Sequence, residues 1–335
     1  MSLKKYIYKG LVRPGLLPIW RSAKNKRNVL TIICFHRISD ENSYVWPPLP
    51  TNDFERILQY LVKYYDVIRP DDIINKTPWL VKPLAMITFD DGYKDFMLNA
   101  LPLLKKYRLP AVQSIVVNSV VTGEQINTQR LNNLIDGYIK HKVSLNLQEN
   151  QKSVIHQVTT KTMYTVKERL MELTLNASED EKEELLLRLE AKLPEHKVTE
   201  MMNWGDLREC MEQNIDIASH TMSHPLLDEI SKDNAQLNYE LVESKLLIEK
   251  NINHPVTCIS FPRGHFNQTV VDASIKAGYQ LMLTTQQTCL PQTEFNSTKS
   301  FHLLPRIMMD RHYADENICK LEGLHHQLLF NSHRE

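Results

Sequence analysis

Six short apolar runs, rich in β-branched residues, set the frame for this chain. "NVLTIICF" ends at His36, "LAMITF" at Asp90-Asp91, "AVQSIVV" at Asn118, "IDIAS" at His220, "PVTCISF" at Pro262-Arg263-Gly264, and "YQLMLTT" at Gln286. Near-continuous apolar runs suit strands buried on both faces, as in parallel sheets. Helical patterns fall between them. In "DFERILQYLVKYY", residues 53–65, Phe54, Leu58, Leu61 and Tyr65 share one stripe, with Asp53 or Asn52 as the cap. Residues 267–277 begin at a capping Asn267 and stop before Gly278, a natural helix terminator. This alternation predicts an α/β fold with right-handed crossovers. Such folds keep their active sites at the C-terminal ends of the strands, where these runs meet polar residues.

One region breaks the alternation. From about Gly123 to Thr199 the text is polar and charged, yet it keeps amphipathic spacing. Ser178 and Glu181 form a capping box, and Leu186, Leu189 and Leu193 recur at helical intervals. This predicts a helical insertion or lid. The chain of 335 residues is long enough for a barrel carrying such an insertion. Its 40 lysines and arginines match its 40 aspartates and glutamates, so no global charge argues for nucleic acid. Five scattered cysteines without a CxxC pair argue against structural disulfides and for a reducing compartment. No apolar run reaches the ~18 residues of a membrane span. Residues 1–27 carry eight basic residues, no acid and several aromatics. That composition suits contact with an anionic membrane surface, or a solvated leader packed on the domain.

The stretch "MITFDDGYKD" places two carboxylates side by side where a buried strand surfaces. Burying either one unpaired is costly, so the pair implies a solvated turn, a metal or a proton-transfer task. In "IASHTMSHPLL", His220 and His224 follow a strand, and Pro225 disfavours a helix at His224. Neutral imidazole is a common metal ligand. Two histidines and one carboxylate would leave a position open, as in catalytic zinc sites. Both motifs lie at C-terminal strand ends, so the fold can bring them together.

"TFDDGYKD" and "SHTMSHP" together resemble the polysaccharide deacetylase family, the NodB-homology or carbohydrate esterase family 4 domain. The resemblance covers residues 28–122 and 202–312. It leaves a basic leader at 1–27, the helical insertion at 123–201 and a C-terminal tail at 313–335. It implies a distorted (β/α) barrel and metal-dependent removal of acetyl from an N-acetylated sugar. By position, Asp90 matches the family's catalytic base, and Asp91, His220 and His224 match its metal ligands. The donor set suits zinc best, with cobalt, nickel, manganese or iron as alternatives. "ISFPRGHF" matches the block whose proline and glycine, here Pro262 and Gly264 around Arg263, shape a wall of the groove. Many members open that block with an arginine that orients the aspartate. Ser260 stands there instead, which leaves the role to Arg263 or Arg306. The family's late histidine is also missing from "HLLPRIMMD". His36, in "ICFHRIS", resembles the histidine of a branch that includes poly-N-acetylglucosamine deacetylases, and is the expected general acid. His302 and His312 are the alternatives. The family's aromatic block is poorly kept in "LMLTTQQTCL". Trp46 and Trp204 are candidates for sugar stacking, although large aromatics more often serve the core.

The expected function is a metal-dependent hydrolase that removes the N-acetyl group from an N-acetylamino sugar in a glycan or glycan precursor. A metal-activated water, an aspartate base and a histidine acid would carry it. The substrate would be a carbohydrate, lipid- or nucleotide-linked in a cytoplasmic setting, with peripheral contact at the inner membrane face. Two rival readings remain: hydrolysis of a non-sugar amide or cyclic imide on the same scaffold, and an inactive glycan-binding module.

Overall fold

A computed structural model describes residues 10–12, 29–76, 82–149, 152–175, 177–291, 302–309 and 313–324. The leader proposed for 1–27 lies outside these residues except for its short stretch 10–12. The chain divides into two compact units: residues 1–40, 49–123 and 201–335, and residues 41–48 with 124–200.

The first unit is built on one sheet. Its strands are β1 (Val29–Phe35), β2 (Asp66–Val67), β3 (Leu84–Phe89), β4 (Ala111–Ile115), β7 (Ile215–Ser219), β8 (Cys258–Ser260), β9 (Leu281–Leu283), β10 (Leu290–Pro291), β11 (His302–Leu304) and β12 (Ile307–Met308). The order β1-β3-β4-β7-β8-β9-β11 is parallel throughout. The free edge of β1 takes β12 in parallel at Ile33 and Cys34, and β10 antiparallel at Val29 and Leu30. β11 ends the order on one side, whereas β12 pairs with β1 on the other. Pro305 and Arg306 alone join them. The sheet thereby curls into a nearly closed barrel.

Period-two alternation explains why the strands are apolar on both faces. Leu30, Ile32, Met86, Val112, Ala218, Cys258, Leu281, Leu283 and Leu304 form one buried cluster drawn from strands all around the sheet, which fills the barrel interior. Their neighbours Ile33, Phe35, Ile87 and Phe89 join a second cluster with helical Phe54, Leu58 and Leu61. The helix bearing those three residues runs Thr51–Tyr64. It starts before the cap expected at Asn52 or Asp53, because the Phe54 amide already donates to Pro50 O at 2.9 Å. Asn267 caps its helix as expected, accepting from the Val270 amide at 3.1 Å. Gly278 comes just after that helix at φ +88°.

The expected tail, 313–335, is not bare. Helix Ala314–Leu321 buries Ile318 and Leu321 in the main core. Behind it, buried Glu322 accepts from the hydroxyls of Tyr60 (2.9 Å) and Tyr65 (2.8 Å).

The second unit contains helices Asn127–His141, Met163–Leu175 and Glu179–Glu190 around Leu134, Tyr138, Leu170, Leu186 and Leu189. The Ser178–Glu181 capping box is formed. Beside the expected helices the insertion also holds a hairpin, in which β5 (Ser144–Glu149) and β6 (Lys152–Gln157) pair antiparallel. Its apolar signal is short. Leu145 and Leu147 alternate with polar residues and pack into the unit's own core.

Candidate active site

β3 delivers its last residue, Phe89, into the core, and the chain then turns. The Asp90 amide donates to Phe35 O at 3.0 Å, which continues the β1–β3 ladder one step past the strand. Asp91 and Gly92 both adopt left-handed backbone, at φ +75° and +80°. Aspartate tolerates that region and glycine enters it freely, so the Asp-Gly pair suits a reversal this sharp. The turn leaves both carboxylates buried, with Asp90 3% and Asp91 4% exposed.

The two carboxylates have different neighbours. Arg306, fully buried, donates from Nη1 to Asp90 Oδ1 and from Nη2 to Oδ2, each at 2.8 Å. Its Nε donates to Thr284 O at 3.0 Å, and Nη1 also reaches Ser260 Oγ at 3.3 Å. Burial pushes Asp90 up. The charges of Arg306 and then His220 outweigh burial and hold the carboxyl far below its usual range.

Asp91 faces histidines. His220 directly succeeds β7, and its amide donates to Ile115 O at 2.8 Å. His220 Nε2 lies 3.3 Å and His224 Nε2 3.6 Å from Asp91 Oδ1. The two rings sit edge to face, with centroids 4.9 Å apart. Burial raises the Asp91 carboxyl, but the His220 contact and then the charges of His36 and His224 bring it to about 2. Burial and then neighbouring His220 hold His224 down at about 4, so it is neutral at pH 7.

These donors fit a divalent cation. His220 Nδ1 lies 2.8 Å from Ser260 O. A carbonyl can only accept, so Nδ1 carries a proton, and the neutral ring then presents its Nε2 lone pair towards Asp91. Asp91 Oδ1 is itself buried and, among the described residues, accepts no well-formed hydrogen bond. With both rings neutral, lone pairs from the imidazoles and the carboxylate converge at 3.3 and 3.6 Å. A cation resolves that clash, and the Ser260 carbonyl provides the outer contact that commonly orients a ligating histidine. The donor atoms of Asp91, His220 and His224 lie within 4.8 Å of one another. Cys34, His36 and Asp90 are equally close together. There, however, Arg306 already occupies both Asp90 oxygens.

The remaining candidates from the sequence separate cleanly. His36 is half-buried on the Asp90 side of the site. Arg306 reaches Asp90, whereas Arg263 is exposed in a left-handed turn at φ +53°, so the choice left open between them falls to Arg306. The reason is the barrel seam, which carries Arg306 inward between β11 and β12. Ser260, at the position where many relatives carry an arginine, has its hydroxyl against Arg306 and 2.7 Å from Ser114 Oγ. Pro262 is buried, and Gly264 turns at φ +71° beside Thr285. His302 belongs to β11, and His312 lies outside the described residues. Trp204 is half-buried against the main core, and half-buried Trp46 belongs to the second unit. Tyr93 escaped the sequence reading. It is buried, and burial followed by the Asp91 charge pushes its phenol well above the ordinary value. Only its position two residues past Asp91 could have signalled it.

A parallel α/β barrel here gathers carboxylates and histidines at its strand ends, where such folds keep their active sites. The sequence profile of the polysaccharide deacetylases matches residues 80–282, and the chain belongs to that family. YxkH of Bacillus subtilis (strain 168), provisionally named a polysaccharide deacetylase, is 24% identical over 261 residues. The match takes in 77% of this chain but only 64% of YxkH. Among solved structures, the Streptococcus pyogenes deacetylase PplD, in complex with acetate, superposes with a TM-score of 0.57 at 17% identity. That alignment covers 88% of this chain and 98% of PplD. A de-N-acetylase from Aggregatibacter actinomycetemcomitans gives 0.56 at 16% identity, over 88% of this chain and all (100%) of its own. At such identities the shared property is the fold.

Proposed function

We propose that this protein removes the N-acetyl group from an N-acetylamino sugar of a glycan or glycan precursor, using a divalent ion, zinc by preference. The observation that carries the reading is the convergence of Asp91, His220 and His224 beside an Asp90 held ionised by Arg306. Acetate in PplD and the de-N-acetylase named above support the acetyl group as the one removed.

Asp91, His220 and His224 would hold a divalent ion, which when bound would supply the Lewis acidity for polarising an amide carbonyl and acidifying water. Asp90 accepts the proton of the attacking water. Arg306 fixes the plane of that carboxylate, so the accepting oxygen stays aimed. The Ser260 carbonyl keeps His220 in the tautomer that leaves Nε2 bare. His36 gives a proton to the departing amine, without which amide cleavage stalls.

The test is acetate release from N-acetylglucosamine oligosaccharides, with a parallel panel of cyclic ureides. Turnover of the sugars, lost with a chelator and regained with zinc, supports the reading. Turnover of ureides alone sinks it. Asp90→Ala should abolish turnover while zinc remains bound, whereas Asp91→Ala or His224→Ala should lose zinc as well. A lipid-linked substrate at the inner membrane face is the compartment reading that suits the basic leader. It fails if removing residues 1–27 leaves membrane partitioning unchanged.

A further inference from the structure

The loop carrying His220 and His224 is strained and tightly held. Thr221 and His224 both have left-handed backbone, at φ +69° and +64°. For a β-branched threonine this is a rare and costly conformation. Such strain persists only when the surroundings over-determine it. Several bonds contribute. Thr221 N donates to Ser219 Oγ at 3.1 Å, and His224 N donates to Thr221 Oγ1 at 3.1 Å. The Thr221 and Met222 carbonyls accept from the amides of Val117 (3.2 Å) and Asn118 (2.9 Å).

The middle of the loop depends on one distant side chain. Glu240 Oε2 accepts from the amides of both Met222 and Ser223, each at 2.9 Å. Glu240 Oε1 accepts from Ser223 Oγ at 2.5 Å. Glu240 is only 2% exposed, and its carboxylate is thus met by three donors of this loop. It sits in a π-helical turn, Tyr239–Glu243, between helical segments Asn234–Asn238 and Ser244–Ile252. A π-turn inserts a residue into the helix and re-aims the side chains around it. This turn is bolted to the sheet. Ser244 Oγ donates to Glu240 O at 2.6 Å and lies 3.2 Å from Ser219 Oγ, at the end of β7.

We propose that Glu240 is a positioning residue for the metal ligands: its buried carboxylate holds the strained 221–224 backbone so that His224 faces Asp91 beside His220. The inference rests on the metal reading above and extends it to a residue that touches neither metal nor substrate. Its chemistry is specific. Two backbone amides and a hydroxyl meet lone pairs on both oxygens of the carboxylate. Glu240→Gln would keep the bonds, its oxygen on the two amides and its NH2 donating to Ser223 Oγ, so the informative change is Glu240→Leu, which offers no acceptor. A buried amide would then lose its acceptor, and the loop would relax away from the left-handed conformation.

The experiment measures zinc affinity by calorimetry, and metal-free melting in parallel, on the full chain. Outer-shell partners of metal ligands typically contribute about 10–100-fold in affinity. Glu240→Leu should therefore bind zinc roughly tenfold or more weakly, while Asp272→Asn, an exposed-face control, binds as the wild type does. Ser223→Ala, which removes the 2.5 Å bond alone, should lose less. Wild-type affinity in a folded Glu240→Leu chain overturns the proposal, even if its melting temperature falls. If Glu240→Leu does not fold, Ser223→Ala decides, and unchanged zinc affinity there overturns it. A wild-type chain that binds no zinc removes the metal reading and this role together, whereas equal binding by wild type and variant removes this role alone.

Discussion

Arg306 grips both oxygens of Asp90 at 2.8 Å from the two-residue link that carries the chain from β11 to β12, beside β1. The clamp fixes the charge on Asp90 and the direction of its lone pairs. It does so at the expense of basicity, because the same guanidinium holds the carboxyl far below its usual range.

Arg306→Ala strands a buried carboxylate. Removing one partner of a buried pair costs on the order of 3–5 kcal/mol, so urea denaturation should show a loss of that size. Adding Asp90→Asn to Arg306→Ala removes the stranded charge and should recover part of the stability, though no activity. A double-mutant cycle that showed no coupling would refute the clamp.

The metal-free protein should lose stability as pH falls from about 6.5 to about 4. Unfolded, His224 takes up a proton near its ordinary 6.5, but folded it resists down to about 4, because of burial and then His220. The unfolded chain therefore binds more protons across that window, and stability rises with pH through it. Asp90 and Asp91, both depressed from 3.8, add their losses only lower down. Urea midpoints taken at several pH values should fall along this course, and His224→Asn should flatten it. An unchanged slope in that variant would contradict the assignment.

Gly264 and Gly123 both have positive φ, at +71° and +77°, yet alanine should affect them differently. At Gly123 a new Cβ meets open space, so only the backbone cost of about 1 kcal/mol applies. At Gly264 it would sit 1.9 Å from Thr285 Oγ1 and 2.8 Å from its Cβ, which forces the groove wall to move. Gly264→Ala should cost roughly 1–3 kcal/mol more than Gly123→Ala and also lower activity. Equal denaturation midpoints would show the wall to be pliable.

Thiol chemistry tests the packing. Cys34, Cys210, Cys258 and Cys319 are buried, and only Cys289 is half-exposed. Burial pushes Cys210 and Cys319 up to about 12, well away from the reactive thiolate form. A thiol reagent should titrate one group quickly in the native protein and all five after denaturation. Several fast native equivalents would mean a looser barrel.

The main strands and the polar residues at their ends were legible because both obey local rules. A strand buried on two faces is apolar along its length, and the chain must turn where it leaves the sheet. Hence Asp90, Asp91, His220 and His224 could be singled out before any geometry was known. The seam was not legible. β11 has three residues and β12 two, too short to show a period. Arg263 and Arg306 therefore looked alike, each a cation after an apolar run, until the barrel turned one inward and left the other in solvent. Glu240 was hidden for a different reason. A glutamate in a helix is ordinary text, and only the π-turn aims it into the His220–His224 loop. The hairpin Ser144–Gln157 was masked by polarity, since in β5 Leu145 and Leu147 alternate with Ser144, Asn146 and Gln148 over one short strand.

The seam also couples folding to chemistry. Pro305 and Arg306 are the short stitch between β11 and β12, and the guanidinium that projects from it ties β3, β8 and β9 together through Thr88, Asp90, Ser260 and Thr284. A chain that closed its sheet one residue out of register would leave Asp90 charged and alone in the interior, and so would be both unstable and inactive. Assembly and competence are checked by the same side chain, and a misassembled copy has little chance of persisting as a half-working enzyme.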